Sequence, residues 1–160
     1  MKPKVYLETT IPSYLTAWPS RDLIKAAHQQ ITNEWWQIRD QFELYISQIV
    51  IQEASAGNKD AAKRRIDIIK NLSVLNVSLE SQKLAQKLIE QSSMPQKAVV
   101  DAIHIAISVI NGMDYLLTWN CTHIANASMR KQIEKVCRIY GYEPTTICTP
   151  NELMEVNHVK

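Results

Sequence analysis

The chain has 160 residues, enough for one domain that buries about two-thirds of its unfolded surface; 46% of them are hydrophobic, 21% are charged and the net charge is +2. That balance describes an ordinary globular protein, and a charge so small neither signals nor excludes a nucleic-acid partner. Three cysteines without a C-x-x-C pair exclude a disulfide framework, three glycines leave little room for a Gly-rich phosphate loop, and no apolar run approaches the roughly 20 residues that cross a bilayer. A reducing, cytoplasmic setting with no membrane partner is therefore expected.

Val5-Tyr6-Leu7 is a short continuous apolar run, as in a parallel strand covered on both faces, and it ends in Glu8. Thr9 or Thr10 can cap a following short helix whose first turn holds Pro12. A longer helix is expected from about Asp22 to Arg39, with Leu23, Ala26, Ala27, Ile31, Trp35 and Ile38 inward. Phe42–Ile46 reads as a second strand and Ser47 as the next N-cap. The helix carrying Glu53 stops at Gly57-Asn58. Lys59–Lys70 is a basic helix, Leu72–Val77 a third strand, and Leu79–Gln91 an amphipathic helix.

Lys97 to Asn111 is the most unusual stretch. As a helix it places Asp101, His104, Ser108 and Asn111 on one narrow stripe, with every other residue from Ala98 to Ile110 apolar. Such a helix is expected to be buried on most of its circumference. Its carboxylate Asp101 then needs a buried base, backbone donors or a metal ion, because an unpaired buried charge costs several kcal/mol. Tyr115–Thr118 is a fourth strand, Trp119–Ala125 a loop or helical turn, and a helix runs on to about Tyr140. Thr145–Cys148 is a fifth strand and Pro150–Met154 a final helical turn. Residues 1–156 read as one domain and 157–160 as a frayed tail. Strands alternating with helices imply a parallel five-stranded sheet with helices on both faces, an α/β fold.

Ligands of such sheets bind outside the carboxyl ends of the strands, near the reversal of strand order. Glu8 closes the first strand, Glu53 follows the second, Thr118 and Asn120 follow the fourth, and Asp101 begins the helix leading into the fourth. Each has a blander reading alone: a cap at Glu8, a surface residue at Glu53, a helix-dipole partner at Asp101, a turn residue at Asn120. Together they place three carboxylates at one sheet edge, where like charges need a cation among them. Oxygen ligands without cysteine or paired histidine favour Mg²⁺ or Mn²⁺ over zinc.

The motifs also resemble a known family. VYLETT is similar to the first strand of PIN-domain ribonucleases, where the acid is usually Asp rather than Glu8. IQEASAGN resembles their second acidic helix, DAIHIA their third motif, LLTWNCTHIANA their fourth region and CTPNELM their usual ending. Within the family the chain looks most like the VapC-type toxins. The resemblance implies a three-layer α/β/α sandwich and metal-dependent cleavage of RNA. It also implies a homodimer and a neutralising antitoxin protein as partners. Glu8, Glu53, Asp101 and Asn120 would be the catalytic and metal-holding residues. Asn120 and His123 stand where many members place acids, which weakens a second metal position.

Thr9 and Thr118 are candidates to hydrogen-bond a phosphate or a ligand carboxylate, and Trp119 is the best candidate to stack on a base. His104 reads as a neighbour that tunes or packs. His123 is a candidate for substrate contact or proton donation, with a structural loop role as the plainer reading. Lys59–Lys70 holds five basic residues against two acids, a candidate RNA approach surface or simply a solvated helix face. The alternative function is a catalytically weakened PIN-fold protein that serves as an RNA- or protein-binding module. A phosphohydrolase with an Asp nucleophile ranks last, because Glu8-Thr9-Thr10 lacks D-x-D.

Overall fold

The protein is described here by a computed structural model covering the backbone of residues 1–158 and the side chains of residues 1–155. Its strands β1 (Lys4–Leu7), β2 (Glu43–Ser47), β3 (Ser73–Leu75), β4 (Tyr115–Leu117) and β5 (Thr146–Cys148) form a single sheet. The order is β3-β2-β1-β4-β5 and every pairing is parallel. Helices α1 (Thr10–Thr16), α2 (Leu23–Gln37), α3 (Gln48–Ala54), α4 (Lys59–Ile69), α5 (Leu79–Gln91), α6 (Val99–Ile110), α7 (Ala127–Ile139) and α8 (Pro150–His158) flank it. This is the parallel α/β sandwich that the alternating pattern implied. The central strand is the most apolar one: Val5, Tyr6 and Leu7 are fully buried, because parallel strands carry helices on both faces.

Strand order reverses between β1 and β4. Register pairs Leu7 with Leu117, and the Glu8 N–H donates to the Leu117 carbonyl at 3.1 Å. Glu8 and Thr118 therefore leave the sheet side by side, at the switch point where such folds bind ligands.

The helices differ in detail from the expected elements. Helix α2 begins at Leu23, but Leu23 is 86% exposed, and the buried positions are Thr32 and Trp35. The inward face of its first half is polar because it meets the loop after β4 rather than the apolar core. Helix α6 is buried on most of its circumference, as expected, with Ala102 and every residue from His104 to Val109 buried, while Val99 and Val100 in its first turn reach solvent. The final helix is longer than the single expected turn and extends to His158; residues 159–160 lie outside those described.

The basic helix α4 is partly structural. Arg64 donates to the Thr16 carbonyl at 3.2 Å and lies over the Trp18 ring; Arg65 donates to the carbonyls of Ala54 and Ala56 at 3.0 and 2.6 Å. These arginines tie α4 to α1 and to the end of α3, which leaves a smaller solvated basic face than the sequence offers. Cys121 is exposed, Cys137 and Cys148 are buried, and all three are free. Among the described residues no helix is long and apolar enough to cross a membrane.

Candidate active site

Glu8 is almost fully buried, and its Oε1 accepts three hydrogen bonds. Two come from Thr10, through the backbone N–H at 3.1 Å and the hydroxyl at 2.6 Å; the third comes from the Thr118 hydroxyl at 2.7 Å. Glu8 thereby caps α1, which Thr9 does not do with its own side chain. The two threonine hydroxyls work alike. Thr10 accepts the Trp119 N–H at 2.9 Å, Thr118 accepts the Asn120 N–H at 2.9 Å, and each passes its own hydrogen to Glu8.

Glu53 approaches from the end of α3. Its Oε1 accepts from the Thr9 hydroxyl at 2.7 Å and lies 2.6 Å from His104 Nε2. Burial pushes the Glu53 carboxyl up, but the hydrogen bonds from His104 and the Thr9 hydroxyl outweigh it, so it titrates below its ordinary value. Thr9 and Thr118, expected at a phosphate or a ligand carboxylate, thus both serve carboxylates.

Asp101 sits one turn before His104 on α6, facing the loop after β4. Its Oδ1 accepts from the Asn120 amide at 3.1 Å, and its Oδ2 lies 2.9 Å from His123 Nδ1. The Asn120 side-chain oxygen accepts the His123 N–H at 3.1 Å, so both ends of that amide are engaged within the protein. Asn120 orients Asp101 here. The hydrogen bonds from Thr118 to Glu8 and from Asn120 to Thr118 and Asp101 join the two acids through the loop backbone.

One atom each of Glu8, Glu53 and His104 lie within 4.8 Å of one another. His104 is therefore nearer the two glutamates than a packing neighbour need be. Its signal in the sequence was its spacing of three from Asp101; its partner Tyr6, inside an apolar strand, carried none. Among the described residues no lysine or arginine pairs with Glu8, Glu53 or Asp101; Glu53 is met by His104 and Asp101 by His123. A set of oxygen donors gathered at one edge without a fixed positive side chain fits a divalent cation.

Trp119, the candidate for base stacking, is itself packed within the protein. Its indole is stacked on His28, with centroids 3.9 Å apart and planes 13° apart, meets Tyr14 edge-on, and donates from Nε1 to Thr32 Oγ1 at 2.7 Å. The ring ties its own loop to α2.

Neither a family model nor a curated protein matches the sequence. Solved structures do match in fold. The sarcin–ricin-loop-cleaving toxin VapC20 of Mycobacterium tuberculosis aligns with a TM-score of 0.58 at 14% identity, over 74% of this chain and 91% of its own. VapBC2 of Rickettsia felis, crystallised with a DNA fragment from its promoter, aligns with a TM-score of 0.56 at 15% identity, over 91% of this chain and 98% of its own. The chain has a PIN-domain fold of the VapC type.

Proposed function

We propose that the chain is a metal-dependent endoribonuclease of PIN type, acting as the toxin of a toxin–antitoxin pair. The observation that carries this reading is the close grouping of Glu8 and Glu53 at the β1/β4 switch point, with Asp101 joined to Glu8 through Asn120 and Thr118, and no lysine or arginine among the described residues paired with any of the three. Glu8, Glu53 and Asp101 would hold Mg²⁺ or Mn²⁺, with Asn120 aligning Asp101. The bound ion would supply an acidified water and charge neutralisation at a phosphodiester. The protein's own contribution is positioning. Thr10 and Thr118 hold Glu8, Thr9 and His104 hold Glu53, and Asn120 and His123 hold Asp101, so no carboxylate is free to turn away.

RNA as substrate is supported by the likeness to VapC20, whose substrate is the sarcin–ricin loop. An antitoxin partner is supported by the likeness to VapBC2. A homodimer and a cytoplasmic location complete the reading, as they do one domain spanning 1–156.

The test is Asp101→Asn, which keeps the side chain's size while removing its charge and one of its two acceptor oxygens. Cleavage of a structured RNA in Mn²⁺ should fall to background while the circular dichroism spectrum stays unchanged. Full cleavage by this variant would sink the assignment. Absence of both Mn²⁺ binding and cleavage in the unaltered protein would favour a PIN-fold binding module instead.

A further inference from the structure

Behind Glu53 lies an unbroken hydrogen-bond chain through three buried side chains. The Val50 N–H donates to Ser47 Oγ at 3.4 Å, and Ser47 Oγ lies 2.7 Å from the Tyr6 hydroxyl. That hydroxyl lies 2.6 Å from His104 Nδ1, and His104 Nε2 lies 2.6 Å from Glu53 Oε1. Tyr6, Ser47 and His104 have no solvent exposure, so their hydrogen bonds must be completed inside the protein.

The ends of this chain dictate the direction of every bond in it. A backbone N–H only donates, so Ser47 Oγ accepts from Val50, and its own hydrogen has Tyr6 as acceptor. The phenolic hydrogen then goes to His104 Nδ1. A phenol is a far weaker acid than an imidazolium, so in this pair it is the hydroxyl that keeps the proton and donates it. Nδ1 is left as the acceptor, and the ring proton sits on Nε2, aimed at Glu53. The reverse direction fails at both ends. The Ser47 hydrogen would have no acceptor among the described residues, and an Nε2 lone pair would face a carboxylate oxygen at 2.6 Å.

We propose that the Ser47–Tyr6–His104 chain is a tautomer lock, holding His104 as an N–H donor that positions Glu53 and keeping its imidazole out of the cation's ligand shell. This rests on the metal-site reading above and deepens it. Without such a lock, the 4.8 Å grouping of Glu8, Glu53 and His104 would offer a nitrogen ligand and a site suited to zinc. With the lock, the cation meets carboxylate oxygens alone, the donor set that suits Mg²⁺ and Mn²⁺. His104 is a positioning residue, the outer partner that fixes a ligand's orientation.

Nitrogen-15 spectra of the imidazoles in the metal-free protein read the lock directly. The chain has four histidines, and His104→Gln identifies the signal by its loss. The expected signature is a single neutral tautomer protonated at Nε2; protonation at Nδ1 overturns the proposal, and this wild-type spectrum stands whether or not a variant folds. Calorimetric Mn²⁺ titration then compares His104→Gln with His104→Leu. Glutamine restores an N–H donor near the Nε2 position and should keep the wild-type affinity, whereas leucine should lose about 10–100-fold. A glutamine variant that loses as much as leucine marks the imidazole as a ligand and overturns the lock. A wild type that shows the Nε2–H tautomer but binds no Mn²⁺ defeats the metal-site reading and leaves the tautomer assignment standing.

Discussion

The site contains two carboxylate–imidazole pairs, and they are supported in opposite ways. Glu53 and His104 meet at 2.6 Å, with the imidazole wholly buried and backed by Tyr6 and Ser47. Asp101, in the first turn of α6, and His123, on the loop after β4, meet at 2.9 Å with both side chains about one-fifth exposed, and Asn120 bridges them. The first pair draws its partners from β1, β2, α3 and α6, elements that cannot move without disturbing the core. The second pair depends on residues 118–126, a segment without regular secondary structure that is tied down by Trp119. The buried pair is held from four elements of the core, while the other rests on a partly exposed loop.

Four measurements test that contrast. The largest effect is expected at Trp119, because it anchors the loop of the second pair. Trp119→Ala removes a stacked ring and a hydrogen bond to buried Thr32 and should cost about 3 kcal/mol in urea unfolding. A cost below about 0.5 kcal/mol, typical of an unattached surface side chain, would return Trp119 to the role of a free stacking platform.

Tyr6→Phe comes next. Removing one hydroxyl leaves the Ser47 hydroxyl hydrogen and His104 Nδ1 without partners together, at about 2 kcal/mol from buried unsatisfied groups. The same chemical cut in the loop pair, His123→Ala, should cost less than about 1 kcal/mol, because solvent can replace a partly exposed partner. Equal losses for the two variants would erase the distinction between a buried and a partly exposed pair.

The smallest effect provides a reference outside both pairs. Burial raises the Glu152 carboxyl, but the hydrogen bonds from Arg130 and Thr149 prevail and hold it below its ordinary value. A depressed carboxylate adds stability that is present above its unfolded pKa and lost as pH falls through its folded pKa. Glu152→Gln should therefore lower stability slightly near neutral pH and show no deficit at strongly acidic pH. A deficit that persists into acid would mean that packing, rather than ionisation, sets the contribution of Glu152.

Much of the site was legible along the chain because each acid follows a recognisable element. Glu8 ends an apolar strand, Glu53 precedes Gly57-Asn58, and Asp101 opens an apolar helix. Thr9 and Thr118 were candidate carboxylate partners and do meet Glu53 and Glu8; what escaped was the histidine beside Glu53 and Asp101 and the support behind it. Tyr6 looks like one more apolar strand residue, and nothing local shows that its hydroxyl reaches a serine 41 residues and a histidine 98 residues away. Trp119 looked available because its neighbours His28 and Thr32 lie on a helix whose pattern pointed Leu23 inward instead. Periodicity reads apolar faces, and this helix buries a polar one.

The sequence by itself determined the alternation of strands and helices, the parallel sheet and the position of the acids at strand ends. These follow from local patterns of burial and from turn residues, which act over a few positions. Only the tertiary structure decided which histidine backs which carboxylate, that Asn120 orients Asp101, and that Trp119 is held by the fold. Those outcomes depend on contacts between segments dozens of residues apart. Hydrogen-bond direction in a dry interior is settled by the whole chain of donors and acceptors, rather than by any one residue type.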